Sequence, residues 1–160
     1  GMPRGVTASY KLLCGALAEA YSDLGVPASL TARSRGEKSA GACYLHATHA
    51  DLSLGAAKLS GSAQVWERDA VLQHGSFVRT RDIEAEAAVF RLGERGGERL
   101  RDATATLEAA PGGPPSANEI IDAVRRAFEA SLGVRLVEGC LTGAESDTAR
   151  LLVDGFSVAT

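Results

Sequence analysis

The chain has 160 residues, 45% apolar and 23% charged, with a net charge of −3 at neutral pH. That describes one folded domain with its own apolar core, and the acidic balance gives no electrostatic footprint for nucleic acid. No apolar run approaches the about 18–20 residues a membrane-spanning helix requires, and no secretory signal opens the chain, where Gly1 ahead of Met2 reads as a remnant of a cleaved tag.

Residues 6–24 carry Val6, Tyr10, Leu13, Leu17, Tyr21 and Leu24 at helical spacing, with Thr7 or Ser9 as candidate cap and Gly25 then Pro27 as the stop. The segment 31–42 is polar and rich in Gly and Ser, a loop. The period then changes to that of strands over 51–55, 58–67 and 70–79, with Gly55 and Arg68-Asp69 placed to turn them into an antiparallel meander. A short helix fits 82–92, followed by a charged, Gly-rich loop, "GERGGERLRDA". The stretch 99–116 reads as a flexible linker, because Gly112-Gly113-Pro114-Pro115 continues neither helix nor strand. Ser116 and Glu119 form a capping box for an amphipathic helix through Leu132, with Ile120, Ile121, Val124, Phe128 and Leu132 as its apolar face. Residues 134–140 read as a strand, and Thr142 with Glu145 repeats the capping box for a last helix over 143–153. The order is helix, three strands, two helices, strand, helix: an α+β chain with an antiparallel sheet and packed helices, forming a C-terminal helix–strand–helix unit after the linker.

The chemistry-bearing residues gather in 41–66, "GACYLHATHADLSLGAAKLSGSAQVW". Three cysteines, odd in number and widely spaced, argue against a disulfide framework and for a reducing, cytoplasmic setting. Cys43 reads either as a small buried hydrophobe or as a nucleophile following a loop, with Lys58, His46, His49 and His74 as candidate neighbours to activate it. Cys43, His46 and His49 stand three apart, but this is neither a zinc-finger ligand set nor a HExxH helix, so no metal is expected. Lys58 reads either as a solvated strand-edge residue or as an ammonium beside the Gly61-Ser62 pair, set against a carbonyl, carboxylate or phosphate. His74 and Gly75 inside a strand mark a bulge or a close backbone approach.

Together these residues resemble the biotin/lipoate A/B protein ligase family, which includes lipoate–protein ligases and octanoyltransferases. The resemblance is carried by Cys43, then Lys58-x-x-Gly61-Ser62-Ala63-Gln64, then Leu72-Gln73-His74-Gly75-Ser76, and extends more weakly over about residues 6–153. It implies one partial domain over 1–160, with the fold of class II aminoacyl-tRNA synthetases and biotin–lipoate ligases. It implies that Lys58 contacts the acyl group or acyl-adenylate at its carbonyl and, in the octanoyltransferase branch toward which Cys43 tilts it, that Cys43 carries the acyl chain as a thioester before passing it to the lysine of a lipoyl domain. Gly61, Ser62, Ala63, Gln64, Gln73, His74 and Gly75 are then the substrate-binding set. The implied substrate is a lipoyl or octanoyl group, no bound cofactor is expected, and ATP enters only if the protein is a ligase. Partners are a lipoyl carrier domain or acyl carrier protein, with no nucleic acid and no membrane.

The sequence departs from the family in two places. The arginine and glycine-rich "GGG" section that precedes this region in relatives has no counterpart, and "RGGER" at 95–99 stands in the wrong place to substitute. The phenylalanine and glutamate that often follow the cysteine in octanoyltransferases are missing. A complementing N-terminal-type chain is therefore expected, as is a homo-oligomer that covers the exposed sheet. The alternative is a non-catalytic binding or self-association module derived from the same fold.

Overall fold

Helix α1 (Val6–Asp23) starts at Gly5, whose φ of 96° sets the chain direction with no side-chain cap. Neither Thr7 nor Ser9 caps it: Ser9 lies inside the first turn, buried, and its hydroxyl donates back to the Gly5 carbonyl. The helix ends at Gly25, where φ is 79° and a Cβ would fall 2.5 Å from Pro111 Cδ, so both the backbone and the neighbour require glycine. The structure is a computed structural model and describes residues 2–31, 43–48 and 51–156. The loop expected over 31–42 and His49 lie, apart from Thr31, outside the described residues.

Strand β1 (Ser29–Leu30) pairs antiparallel with β2 (Leu52–Leu54), which pairs antiparallel with β3 (Ala57–Ser60). The single strand expected over 58–67 breaks at Gly61. Its second half, β4 (Ser62–Glu67), joins β5 (Ala70–Gly75) in a separate two-stranded hairpin, so the meander is divided between two sheets. Arg68 turns that hairpin with φ 53°. The strand expected to run to 79 ends at Gly75. Beyond it, the Ser76 carbonyl accepts from Ser60 Oγ and Tyr21 Oη, and Phe77 stacks on Tyr21 at 4.6 Å, which draws the chain into the core instead of along the sheet.

The core lies between α1 and the three-stranded sheet: Cys14, Tyr21, Val26, Leu52, Leu59, Leu107 and Ala110. Each fully buried leucine there is worth about 1.5–3 kcal/mol relative to an exposed one. Leu107 and Ala110 belong to the stretch expected to be a flexible linker, and residues 99–103 are helical, so most of 99–110 is packed structure. Helix α2 (Ile83–Val89), capped by Asp82 Oδ1, is shorter than expected, and the "loop" after it is helix α3 (Gly93–Ala103). Three glycines disfavour that helix locally, but it buries Leu100 completely and brings Gly97 against Ala87.

Helix α4 (Ala117–Leu132) has the expected capping box, with Glu119 N–H donating to Ser116 Oγ and Ser116 N–H donating to Glu119 Oε2. Its buried stripe differs from the expected one. Ala123 and Ala127 pack against Ala20 of α1, small residues that let two helices approach closely, while Ile121 is exposed. Residues 134–140, expected as a strand, form none and are exposed; among the described residues no neighbouring strand offers the ladder that extended backbone requires. Helix α5 (Gly143–Phe156) follows the second capping box, with Leu151 and Phe156 exposed. No helix among the described residues is long and apolar enough to cross a membrane.

Candidate functional site

Lys58 is not a solvated edge residue. It is 6% exposed, because β3 is covered on both sides: Leu59 faces the core and Lys58 the opposite side. A buried ammonium is costly unless its charge and its three donors are met. Here they are met. Lys58 Nζ lies 3.1 Å from Asp51 Oδ2 and donates to the carbonyls of His46 at 2.9 Å and Cys43 at 3.2 Å. The same Asp51 oxygen accepts from the backbone N–H of Thr48 at 2.6 Å and from its hydroxyl at 3.0 Å. Gly61 closes over this group: a Cβ there would sit 3.4 Å from Lys58 Nζ and 3.6 Å from Asp51 Oδ1.

Cys43 opens a single 3₁₀ turn, Cys43–Leu45, and is exposed. Leu45 anchors the turn by packing into the cluster around Leu100. Tyr44, between them, hydrogen-bonds through its hydroxyl to Ser76 Oγ, and its ring lies beside both Lys58 and Arg81. The structure thus joins the two residues expected to be catalytic through the backbone of Cys43. Among the described residues, no three His, Cys, Asp or Glu side chains are grouped to hold a metal ion.

The remaining expected residues divide by strand alternation. Ala63 and His74 are directly paired across the hairpin and exposed. Gln64 and Gln73, also paired, turn toward α1. There the Gln64 amide donates to Gln73 Oε1 at 2.7 Å, and Gln64 Oε1 accepts from Ser9 Oγ and Trp66 Nε1. Gln73 donates to Cys14 Sγ at 3.4 Å, and Tyr10 Oη to the Ser62 carbonyl at 3.0 Å. Burial pushes both the Cys14 thiol and the Tyr10 phenol up from their ordinary ranges. Gly75 permits the hairpin's close approach, since a Cβ would lie 2.8 Å from Ser62 Oγ.

A cleft of about 360 Å³ runs between α1, β5 and α4. Leu13, Leu17, Val71, Phe77, Phe128 and Leu132 supply its apolar wall, and Ser60, Gln73, His74 and Ser76 its polar atoms. Ser76 connects the two regions, lining the cleft while bonding Tyr44 next to Cys43.

The family model described as "Lipoyl protein ligase A/B catalytic domain" matches residues 2–129. The chain belongs to that family. It is 34% identical to an octanoyltransferase LipM of Symbiobacterium thermophilum, over 96% of this chain and 60% of the relative. It is also 34% identical, with the same coverage, to an octanoyltransferase LipM of Kyrpidia tusciae. In structure it is similar to a lipoate–protein ligase A bound with ATP, with TM-score 0.73 at 22% identity, covering 96% of this chain and 57% of that one. It is likewise similar to a bipartite lipoate–protein ligase studied with its E2 lipoyl domain from Thermoplasma acidophilum, with TM-score 0.72 at 21% identity, covering 96% and 56%. The α+β ligase fold is therefore established for this chain, which spans about 60% of the length of these curated relatives.

Within the family frame, the motif carried Cys43, Lys58 and Gly61, but Asp51, Tyr44 and Arg81 carried no signal of their own. Asp51 stands seven residues before Lys58, Tyr44 lies between the expected loop and the first expected strand, and Arg81 lies between the strand expected over 70–79 and the helix expected over 82–92, where no pattern singles out one side chain.

Proposed function

We propose that this chain is the Cys43- and Lys58-bearing part of a lipoyl or octanoyl transferase acting on the lysine of a lipoyl carrier domain. The observation that carries the reading is the buried Lys58 ammonium held at the backbone of an exposed cysteine. In the first step the Cys43 thiolate attacks the carbonyl of a carrier thioester, a new C–S bond forms, and the carrier leaves as its thiolate. In the second the neutral amine of the acceptor lysine attacks, a C–N bond forms, the Cys43 thiolate leaves, and the amine's proton passes to solvent. A cation beside the reacting carbonyl stabilises the charge developing on oxygen in both steps. An eight-carbon chain placed in the apolar cleft would gain about 0.8 kcal/mol per buried methylene. An exposed thiol favours transfer over ATP-dependent ligation, which has no use for one.

One structural neighbour is described as bipartite, and a complementing polypeptide is part of the proposal. A second reading, a binding module without turnover, draws on one observation: all three Lys58 donors already have acceptors. Incubation with octanoylated acyl carrier protein, alone and with a complementing chain, tests the two. The transferase reading expects a hydroxylamine-sensitive acyl adduct on Cys43 that vanishes in Cys43→Ser. No adduct under either condition sinks it.

A further inference from the structure

Arg81 lies between β5 and α2, in a stretch no motif absorbs, yet its side chain is only 4% exposed. Its Nε is 3.1 Å from Glu86 Oε1, but neither Nε nor Nη1 has a hydrogen-bond partner. A buried guanidinium ordinarily fills its donor fork. This one instead lies against the Tyr44 ring, its Cζ 3.9 Å from the centroid. Lys58 Nζ is 5.3 Å from the same centroid, within the range at which an aromatic face attracts a cation. The phenol tip is tied to Ser76, whose own carbonyl is held by Ser60 and Tyr21. The ring is therefore pinned at its face and at its end, and the residue before it is Cys43.

We propose that Tyr44 is a positioning residue of this site: its ring, pinned by Arg81 and Ser76, is the platform that keeps the Lys58 ammonium at Cys43. The role rests on reading Cys43 and Lys58 as the acyl-transfer pair. The two carbonyls that hold Lys58 belong to Cys43 and His46, which flank Tyr44 in the chain, so the position of the ring sets the position of both acceptors. To reach an acyl oxygen, Lys58 must release one of its three acceptors. Attraction to a ring face depends little on which N–H points where. The platform therefore holds the charge in place while one donor changes partner, which a third carbonyl would not do.

The test reads the effect of Lys58 on Cys43 through alkylation by iodoacetamide, with Cys140 in the same chain as internal reference, both quantified by peptide mass spectrometry. The Lys58 charge is removed in the paired variant Asp51→Asn/Lys58→Gln, which leaves no unpaired carboxylate, and this is done with Tyr44, with Tyr44→Phe and with Tyr44→Leu. With Tyr44, neutralising the pair changes the Cys43/Cys140 ratio at least about twofold, the lower end of a direct coupling, and with Phe, which keeps the ring face but loses the Ser76 tie, a smaller change remains. With Leu the change disappears, while melting curves show a folded protein. A Lys58 effect that persists in Tyr44→Leu overturns the proposal. So does the lack of any Lys58 effect when the ring is present, because the platform then has nothing to position. If Tyr44→Leu does not fold, Arg81→Gln replaces it, with the same loss expected and the same persistence counting against. Alkylation needs no acyl donor, so the outcome stands whether or not the chain accepts an acyl group.

Discussion

Asp51 Oδ2 stands 3.1 Å from Lys58 Nζ, with both side chains more than nine-tenths buried. Such a pair adds little net stability over an apolar replacement, but removing one member strands the other. Lys58→Met leaves the Asp51 carboxylate buried with, among the described residues, Thr48 to meet it, at an expected cost of about 3–5 kcal/mol. The double variant Asp51→Leu/Lys58→Met recovers most of that loss. Urea denaturation of the three proteins checks it, and a double variant as unstable as the single one contradicts the account.

The cysteines separate by exposure. Cys43 and Cys140 are exposed and Cys14 is fully buried, with its thiol pushed up by burial and bonded by Gln73. Iodoacetamide should label the first two in the folded protein and Cys14 only on unfolding. The paired variant Asp51→Asn/Lys58→Gln should alter labelling at Cys43, whose carbonyl accepts from Lys58, and leave Cys140 unchanged. An equal change at both positions would mean a global change in the protein instead.

Gln64 and Gln73 were expected to bind substrate, and their packing predicts a different dominant effect. Gln64→Ala removes the acceptor of Ser9 and Trp66 and the donor to Gln73 in a partly buried network. A loss of about 1–3 kcal/mol follows from leaving such groups unsatisfied. Thermal melting reads it. Unchanged stability together with weakened acyl binding would return Gln64 to the substrate.

How much of this was legible follows from where each partner lies in the chain. The capping boxes at Ser116 and Thr142 are local patterns of four residues, and both helices begin where those patterns place them. Cys43 and Lys58 were legible because the family motif names them. Their surroundings were not: Asp51 meets Lys58 through a β-ladder, and Arg81 meets Tyr44 across 37 positions of sequence, so no spacing rule connects them. Helix α3 was missed because its glycines argue against helix, while the burial of Leu100 that outweighs them is tertiary. The break of the long strand at Gly61 was missed because apolar alternation continues through it. The contact of Gly61 with the Lys58 side chain is tertiary and leaves no trace in the local pattern.

The capping box of α4 supplies a pH signature. The Ser116 hydroxyl and backbone N–H hold the Glu119 carboxyl below its ordinary value of 4.5. A depressed carboxyl contributes stability above its unfolded value and loses it as pH falls through the lowered one. Glu119→Gln should therefore be less stable than wild type at neutral pH, with the difference closing as pH falls below the ordinary carboxyl range. Helicity by circular dichroism against pH measures this, and a gap independent of pH contradicts it.

The outer face of the β4–β5 hairpin carries Val65 directly opposite Leu72, 57% and 63% exposed, with Ala63 beside them. The inner face is occupied by Gln64, Trp66, Val71 and Gln73 against α1, so strand alternation places these apolar side chains outward by geometry. An apolar pair on a two-stranded ribbon gains when covered, and a two-stranded sheet with open edges also offers backbone donors and acceptors to another chain. The chain alone is therefore expected to self-associate, with a second copy covering this face. Light scattering across a wide concentration range should show mass rising with concentration. Leu72→Lys should shift the protein toward monomer without lowering its melting temperature, because its side chain supports nothing inward. A strict monomer at all concentrations, or an oligomer indifferent to Leu72→Lys, would show that this face is not what drives association.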